Sequence, residues 1–341
     1  MDITEIYVDP SINADSGTGT IGDPFGDLEY AIEQTTFDIT NGTRVNIKAG
    51  TDEVVAAELG AAMANSVTTP AWAVSNTAKA VFQGYTSVAG DGGIGGISGG
   101  GSSPVFFTLT DHIHCIDLHM HNCGSGLICQ IDNYCSVVNC EVNNGGSGLG
   151  LGVSSLCENN YVHDFDGTGI SGEAGTLITN NIVIGNGDSP LYCINSTGGD
   201  VIRNILTVEY TSTSGINVAS PYGAIENNSI WANATAGSGI TFSAANLFLK
   251  SLKNNLIEGF SDTGGKGINF TNQPRIGVYG ANSIYNCATV VTSAPHDTYK
   301  SAGANETLSV SPFTDPTILD FNPVDTGAVK EGSYPNAFKT V

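Results

Sequence analysis

The chain has 341 residues, of which 44 are Gly and only 13% are charged; its 11 Lys+Arg against 33 Asp+Glu give a formal net charge of −22. Phosphate backbones would repel that charge, so nucleic acid is excluded as a partner, and no window approaches 18 apolar residues, so no membrane-spanning helix is expected. Low charge combined with 40% hydrophobic residues argues against disorder and for one all-β chain with many turns. The start, Met-Asp-Ile-Thr-Glu, has neither a basic n-region nor an apolar h-region, so no secretory signal is expected. The eight cysteines (Cys115, Cys123, Cys129, Cys135, Cys140, Cys157, Cys193 and Cys287) lack zinc-finger spacing. They read as reduced core thiols acting as small hydrophobes, which suits folding in a reducing cytoplasm.

In chain order, the first phrases are Tyr7-Val-Asp-Pro, then Gly17-Thr-Gly-Thr-Ile-Gly-Asp-Pro-Phe25, Leu28-Glu-Tyr-Ala-Ile32 and Val45-Asn-Ile-Lys-Ala-Gly-Thr51. Asp23 and Pro24 suit the N-cap and first position of a helix. Residues 52–80 break the pattern and read as a helical or looped insertion. Residues 90–103 are dominated by Gly and Ser and read as a flexible loop between early coils.

From about 112 to 287 one phrase recurs: apolar, any residue, an Asn-rich pair, any residue, apolar. It stands as Cys157-Glu-Asn-Asn-Tyr-Val162, Ile178-Thr-Asn-Asn-Ile-Val183, Ile225-Glu-Asn-Asn-Ser-Ile230 and Leu252-Lys-Asn-Asn-Leu-Ile257, with weaker copies starting at Cys115, Val137, Ile202 and Tyr279. The steps are 20–27 residues, and between copies lies a second phrase, small-x-Gly-apolar, as in Gly167-Thr-Gly-Ile170 and Gly237-Ser-Gly-Ile240. A unit this short cannot bury its apolar face alone, so successive units must stack as coils of a parallel β-solenoid. Two inner columns are expected: Cys115, Val137, Cys157, Ile178, Ile202, Ile225, Leu252, Tyr279, and Met120, Val142, Val162, Val183, Thr207, Ile230, Ile257, Ile284. Asp117, Asn139, Asn159, Asn180, Asn204, Asn227 and Asn254 are expected to stack at a bend, where their side chains form an amide ladder and their backbones take the left-handed conformation that Asn tolerates. An outer column Glu158, Thr179, Arg203, Glu226, Lys253 reads as a salt-bridged ladder.

The Asn ladder, the coil length and the Gly-x-Gly-Ile turns resemble the single-stranded right-handed parallel β-helix of the pectate-lyase-like superfamily, in the form found in phage tailspikes and virion β-helices. The resemblance implies an all-β solenoid, with a first strand, an N-terminal capping helix and the first coil over 1–51. Early coils, the insertion and the Gly-rich loop then occupy 52–111, regular coils 112–291 and a closing segment 292–341, whose Asp315-Pro-Thr-Ile-Leu-Asp-Phe-Asn-Pro-Val-Asp-Thr-Gly-Ala resembles the ends of many bacterial and phage β-helices. The scaffold is shared by enzymes, adhesins and tailspikes, so it does not fix function.

Three constellations are candidates for chemistry. Asp164, Asp166, Glu173 and Asp188, beside His163, could provide paired carboxylates for glycoside hydrolysis or a lyase's Ca²⁺. Against this, the outward residues of the neighbouring strands (Ile128, Gln130, Ser171, Tyr192, Asn217, Thr241, Asn269) are neutral. The superfamily's Asn-Thr-Asp, Gly-His-Gly and Arg-Ile-Lys motifs are missing, and only three Arg exist to act as a base. His112-x-His114 and His119-x-His121 each place two imidazoles on one strand face and could chelate a transition metal. His121, His163, Trp231, Glu258 and Tyr285 form an outward flank suited to a subunit interface or a sugar platform. The expected function is therefore a non-enzymatic structural or receptor-binding protein of a phage-like virion (head decoration, spike or tail component). It would be assembled in the host cytoplasm as a homotrimer contacting other virion proteins or a cell-surface glycan, with no resident cofactor. The alternative is a polysaccharide lyase or glycoside hydrolase using the acidic loop, secreted if a signal has been removed, with Ca²⁺ the one ion it would hold.

Overall fold

The computed structural model describes residues 3–12, 14–54, 74–101, 105–107, 111–210, 213–233, 236–244, 247–271, 274–293, 295, 297–301, 303, 305–311, 313–315 and 320–323. Most of the expected 52–80 insertion and much of the 315–328 closing phrase lie outside these. The fold is an all-β parallel solenoid, and the chain forms two compact units, residues 1–161 and 162–341. Among the described residues no helix is long and apolar enough to cross a membrane.

In residues 1–161 the strands Thr4–Val8, Thr43–Lys48, Ala80–Tyr85, Ile113–Ile116, Ser136–Val138 and Leu156–Glu158 pair in parallel, each with the next. The register aligns Ile6, Val45, Phe82, Cys115, Val137 and Cys157, all buried. A second stack, Glu53–Val54, Gly95–Ser98, Leu118–Ile131 and Glu141–Leu151, aligns the buried Ile97, Met120 and Val142. Each fully buried aliphatic side chain here adds about 1.5–3 kcal/mol of transfer free energy, so the columns are the core. The thiols belong to it. All eight cysteines are free, and only Cys287 is less than fully buried. Burial pushes the thiols of Cys140 and Cys193 up to about 12 and that of Cys287 to about 11. Alkylation of the native protein followed by mass spectrometry is expected to label Cys287 first and the other seven only on unfolding; early labelling of Cys115 or Cys157 would contradict their place in the core.

Two expectations for this unit are corrected. The helix Leu28–Gln34 exists, with Leu28, Ala31 and Ile32 buried along one face, but its N-cap is Asp27, whose carboxylate accepts from the Tyr30 N–H, and not Asp23. Asp23 instead closes a tight turn with Thr18 and Thr20. The glycine-rich run is not a loop throughout: Gly95–Ser98 is a fully buried strand, and the turn before it is tied by Asp91, whose carboxylate accepts from the N–H groups of Thr86, Ser87, Val88 and Gly93. Glycine is required for space at 95, against the Ile47 backbone, while at 96 it leaves room for the Asp52 side chain. A Cβ on Gly95 would lie 2.8 Å from the Ile47 carbonyl oxygen, and one on Gly96 would lie 1.8 Å from Asp52 Oδ1.

In residues 162–341 three strand stacks repeat. One aligns Ile178, Val201, Ile225, Leu252 and Tyr279, the second Val183, Leu206, Ile230, Ile257 and Ile284, and the third Ile170, Ile194, Ile216, Ile240, Ile268 and Val291. Val201 and Leu206 thus occupy the places expected for Ile202 and Thr207. That coil is shifted by one residue because Arg203 stands at its corner (φ 60°) where other coils have Asn180, Asn227 and Asn254 (φ 55–58°). The outer charged column consequently contains Ile202 instead of Arg203 and keeps one ion pair, Lys253 to Glu226 at 3.4 Å.

The shift also separates the two roles expected of a single Asn column. The first Asn of each pair makes the left-handed corner. The second is buried and forms the ladder: Asn181, Asn204, Asn228, Asn255 and Asn282 each donate through Nδ2 to the Oδ1 of the next, ending on Asn305, at 2.9–3.1 Å. Each Oδ1 also accepts the preceding rung's backbone N–H, for example Asn204 N to Asn228 at 3.0 Å. The amides of this second column are thereby satisfied in the interior, where an orphan would cost about 1–3 kcal/mol, whereas at the corner Asn227 Oδ1 is buried without a hydrogen-bond partner among the described residues. The Gly-x-Gly-Ile phrase has a steric origin: a Cβ on Gly239 would meet Ile257 Cγ2 at 2.4 Å, and one on Gly267 would meet Ile284 Cγ2 at 2.6 Å.

Candidate functional site

The acidic loop is organised by its own backbone. Asp164, at φ 52°, accepts from His163 Nδ1 at 2.7 Å and from Asn186 Nδ2 at 2.7 Å, while its N–H donates to Asn186 Oδ1. Asp166 Oδ1 accepts the Asp188 N–H at 2.9 Å. Gly187 lies so close beneath that a Cβ there would be 2.1 Å from the Phe165 carbonyl oxygen. His163, Asp164, Asp166 and Asp188 are thus brought together, with two of the carboxylates serving as turn acceptors. Glu173 is exposed on a different turn, after the strand Thr168–Gly172, where its carbonyl accepts from Thr176.

The four candidate metal-binding histidines separate into two environments. His114 faces Ser136, with Nδ1 2.7 Å from its hydroxyl, and burial pulls its pKa down to about 4. His112 stacks on Tyr134 with ring centroids 5.3 Å apart. His119 and His121 lie together on the strand Leu118–Ile131, their rings parallel within 13° and 4.3 Å apart. A residue that the sequence did not single out joins them: Asp52 Oδ2 is 3.1 Å from His121 Nε2. Asn143 Oδ1 is 3.1 Å and Glu141 Oε1 4.0 Å from His119 Nε2. No sequence proximity announces Asp52; only the coil register does.

The flank column of residues 162–341 is Ile184, Thr207, Trp231, Glu258 and Tyr285. It is not a bare platform. Phe313 is buried against Ile205 and Leu256, with Ile182 and Trp231 packed beside them. Ser311 donates to the Glu258 carboxylate at 2.6 Å. Glu258 is left 8% exposed, and burial raises its pKa. The chain's own segment therefore covers part of the surface expected for a partner, and Tyr285 keeps a half-exposed position. His121 belongs to the other unit, aligned with Ser98 and Asn143.

A different face carries a continuous polar column. Ser171, Asn195, Asn217, Thr241 and Asn269 are in register on successive coils, next to Thr168, Tyr192, Ser214, Ser238 and Lys266. Asn217 donates to Asn195 Oδ1 at 2.8 Å, Asn195 to Ser171 Oγ at 3.5 Å, and Ser214 and Thr241 lie 3.4 Å apart. Asn217 Oδ1 is buried without a hydrogen-bond partner among the described residues. Ile128, expected on the outward face of the equivalent strand, is fully buried and fills the space over Gly145.

No family model and no curated protein matches the sequence. Among solved structures, pectate lyase Pel9A superposes with a TM-score of 0.56 at 12% identity, covering 98% of this chain and 89% of that one. The fold is a parallel β-helix, as in that lyase. An alginate lyase from Paenibacillus sp. str. FPU-7 matches at a TM-score of 0.48 and 10% identity, over 90% of this chain and 96% of that one. Structural neighbours of this β-helix are mostly polysaccharide lyases and glycoside hydrolases. At these identities the likeness establishes the scaffold and leaves the chemistry to the residues on it.

Proposed function

We propose that this β-helix is a non-enzymatic structural or receptor-binding protein of a phage-like virion that holds a cell-surface glycan along its neutral face without cleaving it. The observation that carries the reading is the outward column Ser171, Asn195, Asn217, Thr241 and Asn269. Coils repeat every ~4.8 Å, close to the length of one pyranose residue, so amide and hydroxyl groups recur in step with sugar hydroxyls. Asn195 and Asn269 are half-buried on this face and keep amide groups within reach of such hydroxyls, and the buried Asn217 holds Asn195 in place by donating to its Oδ1. The Asp164 and Asp166 carboxylates are engaged in holding their turn, a structural task that competes with acid/base work. In this reading the particle is a homotrimer, and the half-exposed Trp231 and Tyr285 lie at the margin of its contacts.

Binding of neutral polysaccharides, measured by glycan array and calorimetry, is expected to weaken about ten-fold in Asn195→Ala and Asn269→Ala, the loss of one or two sugar hydrogen bonds. Light scattering is expected to give three chains per particle. Cleavage of a polysaccharide that is lost in Asp166→Ala would replace this reading with the lyase or hydrolase alternative.

A further inference from the structure

We propose that Asp52, His119 and His121 form a site for a divalent transition-metal ion of the Zn²⁺ kind, with Glu141 as a fourth donor, which staples coils of the 1–161 unit together. This goes beyond the glycan-holding reading and does not depend on it.

The ligand atoms of Asp52, His119 and His121 all lie within 4.8 Å of one another. Tetrahedral Zn²⁺ with bonds of about 2.0–2.1 Å places its ligand atoms about 3.3 Å apart. The His121 Nε2 to Asp52 Oδ2 distance of 3.1 Å is already on that scale, and the 4.0 Å from His119 Nε2 to Glu141 Oε1 exceeds it by about 0.7 Å. Two imidazoles with carboxylate oxygens select borderline ions such as Zn²⁺, whereas Ca²⁺ and Mg²⁺ prefer all-oxygen shells.

The second observation is independent of the donors. Glu53 pairs with Ile97, which places Asp52 beside Gly96, and Gly96 pairs with His119. Asp52 and His119 are therefore two coil steps apart, and Asp52 reaches the imidazoles by crossing over the intervening strand. That crossing requires position 96 to have no side chain, since a Cβ there would lie 1.8 Å from Asp52 Oδ1. Gly96 sits mid-strand and is not among the positive-φ glycines, so its backbone does not demand glycine. Glycine in a strand interior weakens it. The vacancy at 96 serves to bring a carboxylate onto the two stacked imidazoles. A cation there would link the turn at Asp52 to the strand Leu118–Ile131 across the strand Gly95–Ser98.

The test uses the full chain stripped with EDTA. Calorimetry with ZnCl₂ is expected to give one ion per chain, bound at least about ten-fold more tightly than in His121→Ala or Asp52→Ala, with His163→Ala binding like the wild type. Co²⁺ in place of Zn²⁺ is expected to give the intense visible bands of a four- or five-coordinate site, absent in His119→Ala/His121→Ala. Because a variant could fold poorly, the wild type provides a parallel readout: with one equivalent of Zn²⁺, histidine ¹⁵N resonances of two of the six imidazoles should shift. No shift, a gradual shift of all six, undiminished binding in the folded double variant, or equal competition by Ca²⁺ would each overturn the proposal.

Discussion

Asn255→Ala is expected to destabilise the 162–341 unit by about 3 kcal/mol or more, read as a large drop in the urea midpoint. Asn255 Oδ1 accepts from both the backbone N–H and the Nδ2 of Asn228, and its own Nδ2 donates to the carbonyls of Ile225 and Lys253 and to Asn282 Oδ1. Truncation orphans these partners in a fully buried position, with no water to replace the lost bonds. The neighbouring Asn254→Ala is expected to cost only about 1 kcal/mol, the steric preference of Asn over Ala for the left-handed region. Two other coils already show that this corner accepts other residues: Ala281 occupies it at φ 52° and Arg203 at φ 60°. Equal losses in the two variants would contradict the division of labour between the paired asparagines.

A second large effect is expected from Glu53. Its carboxyl is buried near the start of the helix Leu28–Gln34, where it accepts from the Leu28 N–H. Burial first, and then the negative charge of Asp27, push its pKa from 4.5 up to about 7. Between those values the folded protein keeps a proton that the unfolded chain releases. Stability is therefore greatest at and below about pH 4.5 as far as this group is concerned, declines as pH rises to about 7, and levels off above. At ~1.4 kcal/mol per pH unit the decline amounts to about 3 kcal/mol. Gln at this position mimics the protonated acid, keeping an acceptor for Leu28 and a donor for Asp27. Glu53→Gln is thus expected to match the wild type near pH 4.5 and exceed it by about that amount at pH 8, measured by urea unfolding at the two pH values. A variant no more stable than the wild type at pH 8 would show that Glu53 is ionised in the folded chain at little cost.

The scaffold was readable because its determinants are local and repeated. Paired asparagines and Gly-x-Gly-Ile phrases mark a corner and a close approach in several coils, and most core columns follow from their spacing. The reading slipped where a coil carries one Asn instead of two. With Arg203 at the corner, Asn204 could be aligned with either member of the pair, and a one-residue shift exchanges the inner and outer faces. The covered flank was not readable either. Phe313 follows two other apolar residues, Leu308 and the exposed Val310, and nothing near it in sequence shows that it alone packs on Ile205 and Leu256. The His119 and His121 pair was visible as an alternating doublet. Asp52 was not, because its approach depends on coil register and on the missing side chain of Gly96, both of which are properties of the stack.

The central claim is that the outer face Ser171–Asn269 holds a glycan that the protein leaves intact. The most direct test incubates the wild-type chain with the polysaccharides it retains and sizes both the bound and the free glycan by mass spectrometry after prolonged contact. Retention through the Ser171–Asn269 face is expected, with no new reducing ends and no unsaturated products. Shortened chains appearing with wild-type protein and not with Asp166→Ala would contradict it and assign the acidic turn to catalysis.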